Sequence, residues 1–118
     1  MSVAIGDVSA DGKPDLVVAN QFSDTVSLLL GNGAGGFGTK TDFTAGSGPQ
    51  SVAIGDVNTD GKPDLAVANW GSATASVLLG DGAGGFGAQT RFATGGGSYS
   101  AAIGDVNADG RPDLVVAN

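Results

Sequence analysis

The chain has 118 residues, enough for one domain that buries a core without disulfides, and glycine supplies 22 of them, far more than a helical protein tolerates. Its net charge of −7 comes from twelve aspartates against five lysines and arginines, so there is no basic patch with which to bind nucleic acid or an anionic membrane. The lack of cysteine and histidine excludes thiol nucleophiles, disulfides, zinc sites of the usual kind and the commonest general base.

There is no glutamate. Aspartate is short and suits turns, whereas glutamate favours helix surfaces, so an all-aspartate inventory places the negative charge in loops. The apolar runs, such as Leu16 to Ala19, are too short to cross a bilayer as a helix, and a soluble all-β chain is expected with no membrane insertion. Met1-Ser2-Val3 leads straight into a strand pattern without the charged and apolar regions of a signal peptide. Because the chain begins and ends in register with its own repeat, an excised piece is expected.

That repeat dominates the organisation. Ser2 to Gln50 aligns without a gap on Ser51 to Tyr99, a period of 49 residues, and Ser100 to Asn118 restarts the unit. About two-thirds of the aligned positions are identical. Within the first unit four strands are predicted: A over Ser2–Val8, B over Leu16–Ala19, C over Thr25–Leu30 and D over Phe37–Thr44. The second unit repeats them as Ser51–Val57, Leu65–Ala68, Thr74–Leu79 and Phe86–Thr94. The third supplies only A, Ala101–Val106, and B, Leu114–Ala117. Residues 2–50 and 51–99 thus read as two full blades and residues 100–118 as a partial one.

Strand A carries Val3 and Ile5 on one face and Ala4 and Gly6 on the other, so it is expected to be buried on both sides and crowded on one. Strand D alternates Phe37, Thr39, Thr41 and Phe43 with Gly38, Lys40, Asp42 and Thr44, which reads as a half-solvated outer strand. A small-residue inner strand and a polar outer one suit the blade of a β-propeller, which crowds at the axis and diverges at the rim. A two-sheet sandwich is the alternative.

The A–B connection is the most informative segment. It reads Asp7-Val-Ser9-Ala-Asp11-Gly12-Lys13-Pro14-Asp15, recurs from Asp56 to Asp64 and again from Asp105 to Asp113, and holds nine of the twelve aspartates. Oxygen side chains at positions one, three, five and nine, glycine at six and a backbone carbonyl at seven match the start of a calcium loop. The hard, flexible Ca²⁺ ion suits oxygen donors better than zinc or copper would. The predicted ligands are Asp7, Ser9, Asp11 and Asp15 with the carbonyl of Lys13; Asp56, Asn58, Asp60 and Asp64 with Lys62; and Asp105, Asn107, Asp109 and Asp113 with Arg111. The loops are not EF-hands, because Val18, Val67 and Val116 stand where a bidentate glutamate belongs and a strand follows. Turn chemistry alone accounts for one or two aspartates per loop, but three carboxylates in nine residues repel unless a cation neutralises them. Ser9 makes the first loop the weakest of the three.

Together with the aspartate loop, Pro14-Asp-Leu-Val-Val-Ala-Asn20 and the Gly-Gly-Phe-Gly of Gly35–Gly38 and Gly84–Gly87 resemble the FG-GAP/VCBS repeat family, whose blades occur in integrin α-chain heads and in microbial surface proteins. The resemblance spans the whole chain. It implies a calcium loop in each A–B hairpin, a propeller typically of seven blades used for adhesion or ligand display, and an extracellular or cell-surface location. Two blades and a spare hairpin depart from that number.

Gly31-Asn-Gly-Ala-Gly-Gly36 and its copy at Gly80–Gly85 match a dinucleotide-binding glycine pattern, but each precedes a strand and lacks the helix N-terminus that would hold a pyrophosphate. They read instead as C–D turns, with Asn32-Gly33 and Asp81-Gly82 suited to primed hairpins. Phe22, Trp70 and Tyr99 break the repeat and offer stacking surfaces for sugar rings, so a lectin-like propeller is the second functional reading. A glycoside-cleaving enzyme is the third and weakest, since no pair of acids is isolated in an apolar cleft. The chain is expected to be non-catalytic and to associate with itself, as a dimer closing five blades, a trimer closing six or an open array. The spare hairpin 100–118 would serve as the connector, and a glycan or protein would be the displayed ligand.

Overall fold

The computed structural model describes residues 1–118 and contains ten strands and no helix. Strands β1 (Ser2–Gly6), β2 (Asp15–Asn20), β3 (Thr25–Leu29) and β4 (Thr41–Thr44) form one antiparallel sheet in sequential order. A second sheet repeats it with β5 (Pro49–Gly55), β6 (Asp64–Asn69), β7 (Thr74–Leu78) and β8 (Thr90–Ala93). Strands β9 (Ser100–Gly104) and β10 (Asp113–Ala117) form a two-stranded third sheet. Each four-stranded sheet is one propeller blade, and the two-stranded sheet is the inner half of another.

The blades stack through their inner strands. Ile54 of β5 rests on Gly6 of β1, and Ile103 of β9 rests on Gly55 of β5. Glycine suits both places because a β-carbon would crowd the branched side chain of the next blade, at 3.3 Å on Gly6 and 3.1 Å on Gly55. Val17, Val26 and Leu28 of the first blade and Leu65, Val67 and Leu78 of the second fill the core between and within the sheets, each buried. Full burial of such a side chain contributes about 1.5–3 kcal/mol. Toward the rim, Phe43 meets Phe86 edge-on, with ring centroids 5.3 Å apart and planes at 83°. Edge-on contact sets the positive rim of one ring against the negative face of the other.

Three expectations need correction. Strand A is not buried on both faces in every blade: Val3 and Ile5 face solvent, Ile5 being 68% exposed, because no side chain of a neighbouring sheet packs on that face of β1. Strand D is shorter than the alternating pattern suggests. Between the bridge Gly31–Phe37 and the pair Leu28–Thr41 the outer strand carries one more residue than the inner, and the second blade repeats this between Gly80–Phe86 and Val77–Thr90. The extra residue forces a bulge that interrupts the ladder. Third, the C–D connections are not primed two-residue turns. Asn32 Oδ1 accepts hydrogen bonds from the Ala34 and Gly36 amides, and the positive φ angles fall at Gly33 and Gly35.

Candidate metal centre

In each A–B loop the chain reverses through two left-handed residues, Ala10 (φ 59°) and Gly12 (φ 78°) in the first, Thr59 and Gly61 in the second, Ala108 and Gly110 in the third. Glycine takes this conformation freely, but alanine and threonine adopt it at a cost of roughly 1–2 kcal/mol. The reversal gathers the aspartates. Carboxylate oxygens of Asp7, Asp11 and Asp15 lie within 4.8 Å of one another, as do those of Asp56, Asp60 and Asp64 and those of Asp105, Asp109 and Asp113.

The last aspartate of each loop has a second role. Asp15 is fully buried; its Oδ2 accepts from the Val8 amide at 3.0 Å and its Oδ1 from the Gly31 amide at 2.9 Å. Asp64 does the same with Val57 and Gly80, both at 2.8 Å. This side chain therefore clamps the A–B loop to the start of the C–D hairpin. Charge-assisted bonds of this kind are about twice as strong as neutral ones. Asp113 bonds Val106 at 3.0 Å and has no C–D amide to accept from, so it is only half buried.

The first aspartate of each loop folds it. Asp7 accepts from the Asp11 and Gly12 amides, Asp56 from Asp60 and Gly61, and Asp105 from Asp109 and Gly110. The middle aspartates Asp11, Asp60 and Asp109 accept from the amides of Lys13, Lys62 and Arg111. That bond to Lys62 is the main reason the Asp60 carboxyl titrates below its ordinary range. Lys13 lays its stem along Gly33.

The third-position residues behave differently. Ser9 donates to Asp15 Oδ2 at 3.2 Å and so faces the carboxylates as a donor. Asn58 and Asn107 accept from the amides of Asp60 and Asp109 through their side-chain oxygens. Turned over, the Asn58 amide would instead donate to Asp56 Oδ1 and Asp60 Oδ1, each at 3.0 Å. In either orientation one terminal atom of the Asn58 amide meets the Asp56 and Asp60 carboxylates at 3.0 Å. Converging carboxylates are electrostatically unfavourable alone and favourable around a hard cation. The side-chain donor set thus fits Ca²⁺, with one residue, Ser9, that fits less well.

The FG-GAP-like repeat model matches residues 7–67 and 56–116, so that the two matches together run from the first aspartate loop to Val116 in β10. The chain belongs to the FG-GAP-like repeat family. No curated protein matches it. In this FG-GAP-like repeat chain all three loops keep the aspartates, the glycine and the bonds that the first and middle aspartates accept from the loop amides. Sequence reasoning found every aspartate of the three clusters. It missed the clamp from Asp15 to Gly31, whose signal would have been that Gly31 and Gly80 are identical in both full repeats although no turn type demands glycine there.

Proposed function

We propose that this chain is a calcium-binding propeller module, a non-catalytic scaffold that associates with itself and displays a recognition surface. One observation supports the calcium reading above the rest: three times over, carboxylate oxygens from three aspartates are gathered within 4.8 Å, and the chain's one salt bridge, Lys40–Asp42, lies elsewhere. Asp7, Asp11 and Asp15, Asp56, Asn58, Asp60 and Asp64, and Asp105, Asn107, Asp109 and Asp113 would hold the ions, with the carbonyls of Lys13, Lys62 and Arg111. The cation would supply charge neutralisation and a rigid A–B loop, not chemistry on a substrate. Melting with calcium and with EDTA tests this. At a hundredfold excess over its dissociation constant, each native-state site adds about 2.7 kcal/mol. An unchanged midpoint and no binding heat by calorimetry would reduce the loops to turns.

A carbohydrate ligand is the second reading. It is favoured by Trp70 and Tyr99, which lie side by side with ring centroids 6.4 Å apart and remain substantially exposed. A glycan array read with and without calcium tests it; a blank leaves protein recognition or a purely structural role.

A further inference from the structure

The inter-blade contact made once inside the chain is left open at both ends. Phe86, on the C–D hairpin of the second blade, covers Phe43 of the first. One repeat later the equivalent of Phe43 is Phe92, 52% exposed; one repeat earlier the equivalent of Phe86 is Phe37, 44% exposed. Phe92, Val77, Leu79 and Leu114 line an open groove of about 380 Å³. In the first blade the matching place is closed by the hairpin that carries Phe86, and a β-carbon on Gly84 of that hairpin would stand 3.5 Å from Leu28 and Leu30.

Two other features beside the groove ask for the same occupant. Strand β10 pairs only with β9, so the edge that β2 gives to β3 is bare. Asp113 Oδ2 is bonded to Val106, but no C–D amide reaches its Oδ1, whereas Asp15 and Asp64 receive Gly31 and Gly80 there. An aromatic ring, a strand edge and an amide are what one C–D hairpin brings together.

We infer that the C–D hairpin of a second copy, β3 and β4 with Phe37, docks on β10 and fills this groove. Phe37 of that copy lies on Phe92, its Gly31 amide donates to Asp113, and its Leu28 and Leu29 pair with Val115 and Leu114 in the register that Val17 and Leu16 show within one chain. The inference deepens the self-association proposed above and rests on it. It requires the second copy to release its own β1–β2 hairpin. Residues 101–117 nearly duplicate 3–19, so the exchange replaces like contacts by like and adds the covered groove. Each chain then contributes two C–D hairpins, so a dimer closes about four blades and a trimer about six, both within the usual range.

The natural absence of cysteine makes the test direct. Phe37→Cys and Phe92→Cys chains, both altered at exposed positions, are unfolded, mixed, refolded and oxidised with a diffusible oxidant. The expected product is the mixed disulfide, in large excess over either like pair, with the unsubstituted chain above monomer mass by light scattering. Monomer mass at every dilution overturns the joint and self-association together. An oligomer without the mixed disulfide overturns the joint alone, whatever else then occupies the groove. Hydrogen exchange on the unsubstituted chain gives an independent reading: amides of β10 gain protection as concentration rises, and their failure to do so in an oligomer also overturns the joint.

Discussion

Ile54 of β5 lies against Gly6 of β1, its Cδ1 3.3 Å from where a β-carbon on that glycine would stand. The equivalent Gly104 of the third repeat has nothing within 4 Å. Gly6→Val is therefore expected to overpack the inter-blade contact and cost about 1–3 kcal/mol, while Gly104→Val in dilute chain costs little. Urea midpoints of the two variants check this. Equal losses would mean that strand conformation, not blade stacking, sets the preference for glycine.

The two roles of the loop aspartates separate cleanly by mutation. Asp64→Ala removes a buried acceptor and strands the Val57 and Gly80 amides, at about 1–3 kcal/mol for each donor left unpaired. Asp60 is exposed, and Asp60→Ala should leave the stability in EDTA nearly unchanged yet abolish the calcium response of the second loop. Asp64 is also a proposed ligand, so denaturation of Asp64→Ala in EDTA isolates the clamp, and calorimetry of Asp60→Ala with calcium isolates the ligand role.

Thr59 stands at φ 58°, where a β-branched residue is strained. Asparagine tolerates that region, so Thr59→Asn is expected to stabilise the calcium-free chain by about 1 kcal/mol. A lower melting point in EDTA would show that the Thr59 hydroxyl, which donates to the Asn58 carbonyl at 2.7 Å, outweighs the strain.

Asp81 accepts from the Ala83 amide at 2.7 Å and the Gly85 amide at 2.9 Å, and these bonds hold its carboxyl below the ordinary value. A carboxylate whose folded pKa is depressed stabilises the fold above its unfolded pKa, and that contribution is lost as pH falls through the folded value. The loss from Asp81 should accordingly appear as the pH falls through and below the ordinary carboxylate range. Asn32 holds the corresponding amides of the first blade at 2.8 and 2.9 Å without a titrating group. Asp81→Asn should therefore keep the turn and flatten the acid limb of a stability–pH curve; a curve of unchanged shape would refute the assignment.

The repeat, its strand order and the membership of the three aspartate clusters were legible in the sequence, because they depend on local rules. Short apolar runs bounded by Asp, Asn and Gly read as strands, an Asp-rich stretch with Gly12 must turn, and a gapless repeat makes each loop report on the other two. What tertiary structure alone decided lies at longer range. That Asp15 reaches the Gly31 amide and that one extra residue throws strand D out of its ladder before Thr41 both follow from how separated segments meet. So does the fate of identical side chains. Ile5 and Ile54 occupy the same place in the repeat and in their strands, yet Ile5 is exposed and Ile54 packs on Gly6, since burial is a property of the neighbour and not of the residue.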